Sequence, residues 1–226
     1  DSLAFWLPEY QNDIENAESI SLKHMLQHRS GIPDFDSQAG FDWQNSHSDI
    51  DDTLDYILGK SANFTPNSQY EYSNSNYLLI AKVMDKALGF DHSIFIKEQI
   101  FQPLALDNTF YQLEEVDITR MISGYWLGVD RTEQHYVIPG GSMVSTLQDT
   151  SKFIRALNTG TLMSAQEQET YRDVYGLGHS GWLPGYQSVA RYNSDKDLVL
   201  IQFINSTGQG TENIASSTYE ALLSKF

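Results

Sequence analysis

The chain has 226 residues, of which 40% are hydrophobic and 12% aromatic, with a formal net charge of −16 and no cysteine. That is enough apolar material for a substantial core, which excludes a disordered chain; the acidic balance disfavours nucleic acid and anionic membranes, since both demand basic patches. The absence of cysteine excludes disulfides and thiolate metal sites and leaves the redox compartment open.

In chain order, Leu22, Met25 and Leu26 mark one face of a short helix that Ser21 can cap and Gly31 follows. Ile50, Leu54, Ile57 and Leu58 form a second helical stripe behind Ser48 or Asp49. A third helix is expected from about Ser75 to Leu88, stopping at Gly89. Phe95, Ile96 and Ile100 suggest a fourth, ended before Pro103. Thr146 opens another, with Phe153, Ile154 and Leu157 inward and Gly160 after it, and Ser164 to Glu167 has the form of a capping box. Strands are expected over 175–179, 187–192 and 198–205, and a last helix shows Ala215, Thr218, Tyr219, Leu222, Leu223 and Phe226 on one side.

The run Leu198-Val199-Leu200-Ile201 is apolar on both faces. A strand with one wet face would alternate, so helices are expected on both sides of it, and further strands beyond its edge. Its apolar stretch, interrupted at Gln202, is far too short to span a bilayer, and no transmembrane segment is expected. No signal peptide is visible; the chain opens at Asp1 without an initiator methionine, so a segment upstream of it is expected.

Two islands carry candidate chemistry. Tyr72-Ser73-Asn74 stands just before the third helix, where the backbone field favours an anion. Tyr72 could accept or donate a proton there, with Asn74 orienting substrate; a helix cap beside a packed aromatic is the plainer alternative. A phenol with a pKa near about 10 is a poor base unless positive charge stands beside it. In His179-Ser180-Gly181, with Trp182 next, Gly181 would admit a substrate close to the strand backbone. The N–H of Trp182 could then meet a developing oxyanion, and His179 could hold a carboxylate or assist proton transfer. A histidine on a sheet face and a glycine at a bend would read the same way.

Other chemistries fit poorly. His24 and His28 stand four apart, but Met25 follows where a zincin needs glutamate and no third ligand is evident, so no metal or other cofactor is expected. Gly140-Gly141 lacks the ending of a phosphate loop, and no Gly-x-Ser-x-Gly elbow exists. Three places before the lysines stand Ile20, Ile57, Leu79, Val83, Ile94, Asp149, Asn193 and Leu222, so the 226 residues contain no Ser-x-x-Lys.

Five islands in order resemble the β-lactamase-related serine hydrolases, which include class C β-lactamases, D-Ala-D-Ala carboxypeptidases and esterases. They are Ile20 to Pro33, ending in Ser-Gly-Ile-Pro; Tyr70-Glu71-Tyr72-Ser73-Asn74-Ser75-Asn76-Tyr77; Pro103 to Thr109; Gly140 to Thr146; and Gly181 to Ser188. The resemblance implies a single domain over 1–226 of mixed α/β class, β-lactamase/transpeptidase-like. It would hold an antiparallel sheet flanked by helices, with a helical region over about 20–170 and the C-terminal strands and helix over about 174–226.

The family's first strands and its Ser-x-x-Lys helix are missing from the chain, and the intact site and sheet would need them. The resemblance makes Tyr72 the catalytic tyrosine and Asn74 its partner, and sets His179-Ser180-Gly181 in place of the family's Lys-Thr-Gly. It implies an acyl-enzyme hydrolase of β-lactams, D-alanyl peptides or esters, with a small-molecule or peptidoglycan-derived substrate, in the periplasm or outside the cell. A histidine in place of that lysine removes a fixed charge for a substrate carboxylate, which weakens the case for antibiotic hydrolysis. Relatives usually carry a hairpin loop where Tyr175-Gly176-Leu177-Gly178 runs straight into His179. The competing expectations are a non-catalytic binding protein on the same scaffold and a fragment stabilised by strand exchange. Trp126, Trp182, Tyr186 and Phe35 are aromatic candidates for a pocket or for the core.

Overall fold

A computed structural model describes residues 1–139, 141–174 and 178–226, and the chain divides into two compact units. Residues 1–96 with 135–140 form the first; residues 97–134 with 141–226 form the second.

The first unit is helical. Helix α1, Leu3–Trp6, is capped by Ser2, whose Oγ accepts from Phe5 N–H at 3.2 Å; at four residues it is too short to show a period. Helix α2, Leu22–Leu26, starts at Ser21 as the sequence requires, with Met25 fully buried. Helix α3, Ile50–Leu54, takes Asp49 as its cap, whose carboxylate accepts from Asp51 N–H at 2.7 Å. It stops at Leu54, short of the expected stripe, yet Ile57 still reaches the core from the turn that follows.

Helix α4, Ser75–Leu88, is the axis on which α1, α2 and α3 pack. Its Leu78 and Leu79 are fully buried, each worth about 1.5–3 kcal/mol relative to exposure. It ends at Gly89 as expected. Helix α5, His92–Ile96, is shorter than expected: the chain continues as a π-helical turn, Lys97–Phe101, and Phe95 is exposed while Phe101 is buried. The π turn shifts the inward face, which a 3.6-residue period could not anticipate.

In the second unit, β1 (Tyr125–Trp126) pairs antiparallel with β2 (Val129–Asp130). Helices α6 (Leu147–Thr159) and α7 (Ala165–Arg172) follow, capped by Thr146 and by the Ser164–Glu167 box. Strands β3 (Gly178–Leu183), β4 (Tyr186–Asn193) and β5 (Leu198–Ile204) form an antiparallel meander with β4 in the middle. A short β6 (Ser206–Thr207) runs parallel to β1, and α8 (Thr211–Leu223) closes the chain. This is the mixed α/β class expected, with an antiparallel sheet and flanking helices.

Two expectations for this unit need correction. The strand expected at 175–179 runs instead to Leu183, because β4 pairs with it up to Leu183 and Tyr186; residues 175–177 lie outside the described residues. Helix α8 buries only Ala215 and Tyr219, while Leu222 and Phe226 are 44% and 53% exposed. Strand β5 contacts both α6 and α8, but its residues are mostly half-buried, and among the described residues it lies at a sheet edge. A hollow of about 560 Å³ remains where Leu198 and Leu200 face Tyr219 and Leu223.

Candidate active site

The segment after α2 is laced to the start of α4. Phe35 N–H donates to Ser75 Oγ at 2.9 Å, and Ser30 Oγ donates to Asn76 Oδ1 at 2.6 Å. Asn76 in turn donates to the carbonyl of Ser73 at 3.1 Å. Ser30, Ser73, Ser75 and Asn76 are all buried, so these bonds form where water cannot replace them. At Gly31, φ is +80°, and a Cβ there would stand 2.1 Å from the carbonyl oxygen of Phe64; only glycine allows this crossing. Ser-Gly-Ile-Pro and Tyr-Ser-Asn are therefore two sides of one small polar structure.

Tyr72 and Asn74 emerge from it. Tyr72 is 43% exposed, with its ring stacked on His28 at 4.1 Å between centroids. Asn74 holds the N-cap position of α4 but makes no side-chain cap bond; its amide donates to Asp34 Oδ2 at 2.9 Å. Among the described residues the other oxygen, Asp34 Oδ1, is buried without a hydrogen-bond partner. Burial pushes the Asp34 carboxyl up to about 6, against the pull of hydrogen bonds from Asn74 and with a further push from the charge of Asp36.

His179, Ser180, Gly181 and Trp182 lie on β3 in the second unit, at the edge of its sheet among the described residues. His179 is exposed, and its Nδ1 donates to the carbonyl of Ser180. The indole of Trp182 donates to Glu212 Oε1 at 3.2 Å and meets Trp126 edge-on at 6.4 Å. Gly181 pairs with Ser188, whose Oγ would stand 2.7 Å from a Cβ at position 181; the glycine has a partner within the sheet as well as any role toward a substrate.

The remaining islands are structural clamps. Thr109 Oγ1 and Ser145 Oγ are 2.8 Å apart, Phe110 and Val144 exchange backbone bonds, and Asp149 Oδ2 accepts from Asn108 N–H at 2.7 Å. The histidine pair does not share a ligand site: His24 Nδ1 accepts from Ser21 N–H, and His28 Nδ1 from Ser73 N–H at 3.2 Å. Phe35 is a core residue, fully buried against Phe41 and Trp43, and Tyr186 donates to the carbonyl of Ile122 at 2.8 Å. Asp85, Asp91 and His92 bring ligand atoms within 4.8 Å of one another, but Asp85 Oδ1 already meets His92 N–H and Nδ1 at 2.6 and 2.7 Å.

The family model for β-lactamase matches residues 1–225. The chain belongs to the β-lactamase family. Penicillin-binding protein 4* of Bacillus subtilis is 26% identical, over 91% of this chain and 54% of that protein. The putative penicillin-binding protein PbpX of the same organism is 24% identical, over 91% of this chain and 55% of its own length. The chain thus spans about half the length of the curated relatives it matches. Among solved structures, D-amino acid amidase from Ochrobactrum anthropi SV3, complexed with D-phenylalanine, superposes with a TM-score of 0.81 at 24% identity, over 99% of this chain and 82% of that one. A D-stereospecific amidohydrolase from Streptomyces gives 0.77 at 21% identity, over 91% and 74%.

Within this β-lactamase-family chain, residue-by-residue reading missed Asp34 and His28 as neighbours of Tyr72 and Asn74. Both stand about 40 residues upstream in sequence. The one available signal was that Ser-Gly-Ile-Pro-Asp and Tyr-Ser-Asn occur in the same chain.

Proposed function

We propose that this chain is part of a serine hydrolase of the penicillin-recognising type, acting through an acyl-enzyme on β-lactams, D-alanyl peptides, D-amino acid amides or related esters. The observation that carries this reading is the anchored Asn74 beside a half-exposed Tyr72: the asparagine amide is held by Asp34 and not spent as a cap. In this mechanism a serine hydroxyl attacks the substrate carbonyl, and Tyr72 takes its proton and returns it to the leaving group. Asn74 orients the substrate amide. His179 and Ser180 meet the substrate's polar end, and the backbone along Gly181 and Trp182 supports the developing oxyanion. The nucleophile is the serine of a Ser-x-x-Lys element, which these 226 residues do not contain.

D-configured amides are the leading substrate class, because His179 stands where lysine would supply fixed charge and because a solved relative of the chain is a D-amino acid amidase. The test is turnover of D- and L-phenylalanine amide by the purified natural protein. Release of ammonia from the D-enantiomer is expected; equal rates for both enzyme substrates would overturn the stereochemical preference. The competing reading is a binding protein for peptidoglycan-type ligands on the same scaffold, and a full-length sequence without Ser-x-x-Lys would favour it. Saturable ligand binding without turnover or acylation would support it.

A further inference from the structure

His28 touches three consecutive residues, Glu71, Tyr72 and Ser73, at the start of the Tyr-Ser-Asn island. Its carbonyl accepts from Glu71 N–H at 3.0 Å, and its Nδ1 accepts from Ser73 N–H at 3.2 Å. Between those two bonds its ring stacks on Tyr72, with centroids 4.1 Å apart and planes 26° apart. The residue is 5% exposed, and its backbone sits at φ 54°. Positive φ is uncommon outside glycine, and a residue is kept there only when its surroundings over-determine it.

We propose that His28 is a positioning residue for Tyr72, holding the phenol in its catalytic orientation by a stacked ring and by a grip on the backbone at either side. The inference rests on the reading of Tyr72 as the catalytic tyrosine. The chemistry selects histidine. An Nδ1 that accepts from a backbone N–H carries no proton of its own, so the neutral ring holds its hydrogen on Nε2. The flat face then supports Tyr72 while Nδ1 satisfies a donor that burial would otherwise orphan. Phenylalanine supplies the face without the acceptor. Asparagine supplies an acceptor near the same place and tolerates positive φ, but has no ring.

Two variants separate these contributions: His28→Asn and His28→Phe, each checked for a cooperative thermal transition. In the natural protein, kcat for a D-amino acid amide is expected to fall about 100-fold in either variant, with KM within about twofold, as for misplacement of a reacting group. NMR on the same protein gives a readout independent of turnover. The 15N shift of His28 Nδ1 at pH 7.5 is expected in the unprotonated range. The Tyr72 ring protons are expected to lose an upfield ring-current shift in His28→Asn and to keep it in His28→Phe. Folded variants with unchanged kcat would overturn the proposal, as would a protonated Nδ1 or Tyr72 resonances indifferent to His28→Asn. If the unmodified protein turns over no substrate, the hydrolase reading fails, while the NMR arm still decides whether His28 positions Tyr72.

Discussion

Asn74 donates its side-chain amide to Asp34 Oδ2 at 2.9 Å and leaves the N-terminus of α4 without a side-chain cap. An asparagine at an N-cap usually spends its side chain on the helix, and losing that bond costs on the order of 1 kcal/mol. Asp34 also holds Oδ1 buried without a partner among the described residues. Both choices sacrifice stability locally, and the bond to Oδ2 orients the Asn74 amide.

The Asp34 carboxyl, pushed up to about 6 from an ordinary 3.8, makes stability depend on pH. The folded protein holds the proton more tightly than the unfolded chain, so stability is highest below pH 3.8 on this account and is lost as pH rises to about 6. A shift of this size corresponds to about 3 kcal/mol at most, and solvent screening of the half-buried group reduces it to about 1–2. Asp34→Asn is therefore expected to gain about 1–2 kcal/mol at pH 7.5 and to flatten the dependence between pH 4 and 6, measured by urea unfolding.

Asn76→Ala is expected to destabilise the protein by about 2–3 kcal/mol, because Ser30 Oγ and the Ser73 carbonyl would both lose buried partners. Denaturant midpoints give the value. An effect below about 0.5 kcal/mol would mean that water satisfies both groups.

Gly31→Ala carries two penalties at one atom, strain at φ +80° and a collision with the Phe64 carbonyl oxygen 2.1 Å away. A loss above about 1 kcal/mol is expected in thermal unfolding, well beyond the few tenths of an unconstrained surface change. Gly59→Ala, at φ +70° with open space around its Cβ position, is the control for the strain alone.

Asp149 behaves opposite to Asp34. Burial pushes its carboxyl up, but Lys152, Asn108 N–H and Thr109 outweigh this and hold it below the usual range. Its contribution is present above the unfolded pKa and is lost as pH falls through the depressed folded value. Asp149→Ala is expected to cost about 1–3 kcal/mol at neutral pH, and less in acid, by the same unfolding measurement.

Much of the fold was legible because its signals are local. Ser21, Asp49, Thr146 and Ser164 cap their helices as their residue types require, and Gly89 follows the last residue of α4. What the sequence could not show is where periodicity breaks or contacts are distant. The π turn after α5 moved the buried face to Phe101, and the outer half of α8 lost its packing. Strands β1, β2 and β6, of two residues each, are too short to alternate. In the candidate site, Tyr72 and Asn74 were readable from a motif, but Asp34 and His28 meet them from a segment distant in sequence, on either side of Gly31.

The most direct test of the hydrolase reading is an intact-mass spectrum of the purified natural protein before and after benzylpenicillin, repeated with Tyr72→Phe. One covalent penicilloyl adduct is expected on the unmodified protein, formed much more slowly in Tyr72→Phe. A folded protein that gains no adduct and hydrolyses no D-amino acid amide, or that gains the adduct equally fast without the Tyr72 hydroxyl, would contradict the account.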